Sequence, residues 1–300
     1  LERLTDGQRG HLAMLVFSAL VAGSFTLGTR VANEIAPLAL TAVRFLIAGV
    51  VIGVMAHVMG RFKRTHLQGL WRYGILGGLL SAYFVLMFYG LQTAPPVSAA
   101  AVFTLTPVIS GVIDWLFLRQ ITTRWMALAL TVGGIGAVIV IFRADWQLMR
   151  AFDIGRGEAL YFIGCVAHAI YTPFVRLLNR GEPAIVSTFG VLVAGTVILT
   201  VVGWGDIQAT PWMDLPLMVW IVILYLALFT SGMTFVLLQY AALRLPSAKV
   251  MAYTYLVPSW VILWELAFGG ALPGGLVFLG IVLTGIALLM LLETKSEKAA

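Results

Sequence analysis

Two acids stand where charge is expensive. Asp114 closes the stretch TPVISGVID and Glu265 closes VPSWVILWE, each inside an apolar run and at the same spacing from a proline, Pro107 or Pro258. A charge at the hydrocarbon centre of a bilayer costs about 2.5–3.5 kcal/mol on insertion scales, which favours pairing or water access over isolation. Arg30, Arg44 and Arg176 lie in or at the ends of similar runs, so this set suits gating or coupling, with a static ion pair as the plainer reading. His168 is the histidine deep in a run, whereas His11, His57 and His66 fall at run boundaries. Hydroxyls and rings share the middles of these runs: Ser24, Tyr83, Phe103, Thr104, Tyr171, Thr234, Tyr253 and Tyr255, with Thr26, Thr106, Thr172, Thr230, Ser231 and Trp260 beside them. That mixture suits an amphipathic organic solute, whose apolar part stacks on rings while its polar groups meet hydroxyls and helix ends. A single ring in a membrane protein also serves packing or the interfacial belt.

Other chemistry has no motif to carry it. There is no GxxxxGK[ST] run, so no ATP-driven motor is expected, and no GxSxG or HExxH for hydrolysis. No paired His or carboxylates stand at ligand spacing on one helix, so neither a metal nor a cofactor is implied. Cys165 is the one cysteine, which rules out a disulfide framework and a cysteine zinc site; in its apolar surroundings it reads as a buried small hydrophobe.

The elements that position these residues follow from composition. Of 300 residues 61% are hydrophobic and 11% charged, and the mean hydropathy is +0.99. Soluble domains carry about a quarter of their residues as charges, so most of this surface must face lipid. A transmembrane helix needs about 20 apolar residues. Ten runs qualify, at 11–29, 36–58, 70–92, 96–118, 124–142, 157–178, 184–204, 215–241, 246–268 and 273–292. The breaks between them are short and leave no room for a soluble domain. So many spans follow the first that it is not expected to be a cleaved signal peptide.

Short cytoplasmic loops collect Lys and Arg. With the N-terminus inside, the outer side keeps only Arg30, Arg143, Arg150 and Arg156 of the 19 basic residues, and Arg44 falls within the second run. Both termini are therefore expected in the cytoplasm. The net charge of +6 reflects this topology, because the basic residues form no continuous stripe for nucleic acid.

The halves repeat. A shift of 151 sets Tyr89 on Tyr240, Pro95 on Pro246, Pro107 on Pro258, Asp114 on Glu265 and Gly134 on Gly285; a shift of 146 sets Arg30 on Arg176, Asn33 on Asn179 and Pro37 on Pro183. Five spans per half is an odd number, so the second half, 151–300, enters the membrane upside down relative to the first, 1–150. The expected fold is all-α, with ten transmembrane helices as two inverted five-helix repeats, the design of a secondary transporter with its site at the interface of the halves. The GxxxG of Gly74 and Gly78, with Gly133, Gly134, Gly136 and Gly285, reads as internal helix packing, which leaves the oligomeric state open.

SFTLGTRVANEIAPLALTAVRFLIAG at 24–49, GLQTAPPVSAAAVFTLTPVISGVIDWLFL at 90–118 and VGGIGAVIV at 132–140 give the chain a resemblance to the EamA-type members of the drug/metabolite transporter superfamily over essentially its whole length. Arg119-Gln120 and Gly270-Ala271 stand where that family usually ends its fourth and ninth spans with a glycine and a glutamate, so no role of the usual glutamate carries over. Characterised relatives include exporters of amino acids, aromatic ones among them. The resemblance therefore implies an inner-membrane exporter of small metabolites by alternating access, with a small molecule and the bilayer as partners. Import or exchange of another metabolite, an intramembrane enzyme and a receptor-like binding protein stay open as alternatives.

Overall fold

The computed structural model describes residues 5–63, 68–119, 123–142, 145, 154–271 and 274–293. His66, Arg143 and Arg150 lie outside them, and Asp114 is described as part of a helix but not in its side chain. Ten helices among the described residues are long and apolar enough to cross a membrane: Asp6–Val31, Pro37–Val58, Trp71–Leu91, Pro96–Phe117, Arg124–Ile141, Arg156–Leu178, Ala184–Val202, Leu217–Ala242, Lys249–Ala267 and Gly275–Leu292, numbered spans 1 to 10 below. This is a multi-pass membrane protein. Span 1 starts earlier than its apolar run because Thr5 and Gln8 form a capping box: Gln8 N donates to Thr5 Oγ1 (3.3 Å) and Thr5 N to Gln8 Oε1 (2.9 Å). A cap starts a helix wherever its reciprocal bonds can form, whatever the hydropathy. Prolines open spans 2 and 4, and precede spans 7 and 8 as caps, because a first-turn N–H has no helical partner to lose.

The near face of the bundle holds the start of span 1 and the turns after spans 2, 4, 6 and 8; the far face holds the turns between. The contacts follow the inverted repeat. Span 3 packs along span 6 as span 1 does along span 8, while 2 with 7, 4 with 9 and 5 with 10 join a span to its own mate. Spans 4 and 9 are both broken at corresponding places. Span 4 is helical over Pro96–Phe103, turns at 104–105 and resumes over Thr106–Leu118; span 9 runs Ser247–Ala252, tightens to a 3₁₀ turn over Tyr253–Leu256 and resumes over Val257–Ala267. Pro107 and Pro258 each sit in the first turn of the resumed helix, where a missing N–H costs little. The two breaks touch: Thr106 Oγ1 donates to Phe103 O (2.7 Å) and shares a hydroxyl–hydroxyl hydrogen bond with Thr254 Oγ1 (3.2 Å).

Two local features set the halves apart. Span 8 widens to a π-helix over Leu226–Met233, while the matching stretch of span 3 is regular α-helix. Arg119, ending span 4, takes φ +50°, a conformation that glycine adopts without Cβ strain, and Gly269, ending span 9, takes φ +81°. The glycine packing follows the sequence expectation at Gly133, against the Tyr255 ring, and at Gly136, where a Cβ would meet Gly280 O of span 10 at 2.6 Å, and departs from it elsewhere. Gly74 and Gly285 have open space at their Cβ positions, whereas a Cβ on Gly77 would meet Gly195 N at 2.7 Å and Val191 O at 2.8 Å. Gly77, outside the GxxxG pattern, lets spans 3 and 7 approach, as does Gly190, where a Cβ would meet the Tyr73 ring at 2.7 Å.

Candidate functional site

Where the two halves cross, four expected site residues come together. The Tyr83 ring lies 4.4 Å from His168 and 5.8 Å from Phe103, His168 lies 5.3 Å from Phe103, and Tyr171 stacks on His168 at 6.4 Å. Span 3 supplies Tyr83, span 4 supplies Phe103 at its break, and span 6 supplies His168 and Tyr171 just before Pro173, which sits inside that helix. All four are nearly inaccessible.

Other residues complete the cluster. Tyr161 shares a hydroxyl–hydroxyl hydrogen bond with Tyr83 (3.0 Å), and Phe25 meets Tyr161 at 5.8 Å and Phe103 at 6.0 Å. Gln239 Nε2 donates to Tyr171 Oη (2.9 Å), and Gln239 Oε1 and His168 Nδ1 are each buried with no protein partner. Tyr161 was within reach of sequence reasoning, since with Cys165, His168 and Thr172 it repeats at helical spacing on one face. Gln239, an amide within FVLLQYAA, carried the same signal as the other polar residues in apolar runs.

Arg44 adjoins the cluster through rings. Its guanidinium lies 3.9 Å from the Phe84 centroid, and Phe84 meets Tyr83 at 4.5 Å and Phe235 at 5.6 Å. Nε donates to Ser231 Oγ (2.9 Å) in the π-helical turn, while Nη1 and Nη2 have no protein partner.

The remaining expected residues lie elsewhere. Ser24, Thr104 and Thr234 bond to carbonyls of their own spans, Val21 (2.6 Å), Ala101 (2.6 Å) and Thr230 (2.8 Å). Tyr253 sits at the near face against His11 (3.0 Å). Tyr255 packs on Gly133 of span 5, and its backbone carbonyl accepts from Thr284 of span 10 (3.2 Å). Arg30 is exposed at the far face and lies 4.2 Å from the Phe268 ring centroid. Glu265 is half-buried, and among the described residues no ion pair joins it to Arg30. Arg176 is half-buried, with Nη1 unpartnered.

The described ion pair links residues outside the expected set. At the near face Arg72 Nη2 bonds to Glu182 Oε1 (2.6 Å), both side chains 3% exposed. Arg72 also donates to Leu178 O (2.6 Å), and Arg180 N donates to Glu182 Oε2 (2.7 Å). Burial alone would raise the Glu182 carboxyl, but the hydrogen bonds from Arg72 and the Arg180 backbone outweigh it and hold the group below its ordinary range. The far face has hydrogen bonds instead: Gln92 Nε2 donates to Ala32 O (3.1 Å), and Ser98 Oγ to Glu158 Oε1 (2.8 Å). Among the described residues no group of three or more His, Cys, Asp or Glu could hold a metal. A groove of about 860 Å³ between spans 3 and 7 is lined by Phe62, Leu70, Phe189 and Val197, on the bundle's flank rather than at the cluster.

Comparison with known proteins agrees with this architecture. The sequence profile described as the EamA-like transporter family matches residues 8–142 and again 155–293. The chain belongs to that family. It is 24% identical over 262 residues to YyaM of Bacillus subtilis (strain 168), named an uncharacterized transporter, with 86% of each chain covered. It is also 27% identical over 166 residues to an uncharacterized transporter of Archaeoglobus fulgidus, covering 55% of this chain and 56% of that one. A crystal structure at 20% identity superposes with a TM-score of 0.71, covering 95% of this chain and 96% of that one, a likeness of fold. The protein is thus a transporter of the EamA family.

Proposed function

We propose that the protein is a secondary carrier that exports small organic solutes, amino acids with aromatic side chains first among them, across the inner membrane by alternating access. The observation that supports this reading is the buried cluster at the crossing of the halves, where rings of Tyr83, Phe103, His168 and Tyr171 adjoin polar atoms with no protein partner, His168 Nδ1 and Gln239 Oε1. Buried polar groups are normally bonded, and orphaned ones beside aromatic faces match a solute with an apolar body and a polar head. The near face is then cytoplasmic, in keeping with Arg61, Lys63, Arg180 and Arg244 in its turns. Asp114 and Arg176 toward that face, and Glu265 and Arg30 toward the other, belong to two polar networks that open in alternation, flexed at the breaks beside Pro107 and Pro258.

The test is a panel of labelled solutes offered to purified protein in liposomes, with and without a pH gradient. Movement of aromatic amino acids is expected, with His168→Ala weakening apparent affinity. If no amino acid moves or exchanges, the substrate class is wrong; if a solute is chemically converted, the carrier reading itself falls.

A further inference from the structure

Arg44 is a fully buried cation within a membrane span, and its surroundings account for one of its three nitrogens. Nε is fixed on Ser231 Oγ at 2.9 Å, and the guanidinium plane is walled by Phe84, Phe88 and Phe45, at 3.9, 5.6 and 5.8 Å from their ring centroids. Nη1 and Nη2 are buried without a protein partner, and among the described residues no carboxylate pairs with Arg44. Ionisable groups within spans pair with one another, with carbonyls or with what passes through. A neutral serine and ring faces leave the strongest donors of this group unused.

We propose that Arg44 takes the carboxylate of the transported solute. This rests on the carrier reading above and names the chemical class that the site selects, a monocarboxylate with an apolar body. Nη1 and Nη2 form a planar fork that matches the two carboxylate oxygens, while Ser231 keeps the third edge in place. Rings run on from that fork, Phe84 to Tyr83 to His168, so a solute docked by its acid lays its side chain along them. The repeat argues against a purely structural role. Under the same shifts Arg44 falls on Gly190 of span 7 and Ser231 on Leu80 of span 3, so the inverted mate of this seam has neither partner. The irregular turn is likewise confined to span 8, where it carries Ser231, and π-turns within helices concentrate at functional sites. The sequence grouped Arg44 with the gating residues; its burial and its two free nitrogens set it among the solute contacts.

The experiment measures thermal unfolding of the purified full chain with L-phenylalanine, 3-phenylpropionate and phenylalaninamide, which keep, or lack in turn, the amino group and the carboxylate. Both acids are expected to raise the midpoint and the amide to leave it unchanged. Arg44→Gln abolishes the effect of the acids, and Arg44→Lys, a point charge without the fork, restores only part of it. Ser231→Ala, which retains the arginine, weakens the acids about tenfold by releasing Nε. If 3-phenylpropionate acts and phenylalanine does not, the amino-acid reading fails while the anchor stands. If the amide acts as strongly as phenylalanine, the anchor fails while the carrier reading stands. An undiminished acid effect in Arg44→Gln, or no effect of either acid on the wild type, also overturns the anchor.

Discussion

Spans 3 and 7 meet along one seam and spans 2 and 8 along its inverted mate, and the two are made of different chemistry. In the first, Gly77 brings backbone against Gly195 and Val191, and the Arg72–Glu182 pair closes the near end. In the second, the π-turn of span 8 sets Ser231 against Arg44, whose outer nitrogens stay unpartnered. A glycine contact with no spare volume resists sliding, because interiors are packed and overpacking is costly. The contrast teaches that the repeat fixes which spans meet, while the side chains decide which seam is scaffold and which can serve a solute.

The largest effect is expected at the scaffold seam. Arg72→Met leaves Glu182 buried without its cation and should lower stability by about 3 kcal/mol, read by thermal unfolding in detergent. The pair also sets an acid limit. Because the Glu182 carboxyl titrates below its ordinary value of 4.5, its contribution is complete above that pH and is lost as pH falls through the lower folded value. Wild type should therefore lose more stability than Glu182→Gln between pH 5 and 3.

Gly77→Ala comes next, at about 1–3 kcal/mol, since the new methyl meets backbone that cannot rotate away. Gly74→Ala, which faces open space, should fall within about 0.5 kcal/mol of wild type. Equal effects at the two glycines would contradict the reading of Gly77 as the tight contact of the scaffold seam.

Smaller effects sharpen the picture at the cluster and at the broken spans. Tyr171→Phe removes the hydrogen bond from Gln239 and should cost about 1 kcal/mol, with a larger change in solute affinity than in fold if the cluster is the site. Arg119→Gly should raise stability by up to about 1 kcal/mol, because glycine relieves the left-handed backbone there but loosens the unfolded chain.

Spans and repeat were legible because lipid leaves few options: about 20 apolar residues, basic loops on one side, and an odd number of spans per half. The candidate site was legible in part. Tyr83, Phe103, His168 and Tyr171 combine polar or aromatic character with mid-span depth, and the structure joins them. Tyr253 and Tyr255 have the same character, but the 3₁₀ turn that carries them shifts the helical phase, turning one to the rim and the other to span 5. Arg72 and Glu182 were missed because each looks like an ordinary boundary charge, and only the fold brings together two residues so far apart in sequence. Gly77 was missed for a similar reason, since GxxxG marks spacing on one helix and says nothing of the partner, while the contact glycines Gly133 and Gly136 were among those named.

Counterflow is the most direct test of the claim that the seam between spans 2 and 8 holds the solute of a carrier. Liposomes containing the protein and preloaded with unlabelled L-phenylalanine are diluted into a trace of labelled solute. Transient accumulation by the wild type and none by a folded Arg44→Gln variant is the predicted result. Absence of accumulation in the wild type, or undiminished accumulation in the variant, would contradict it.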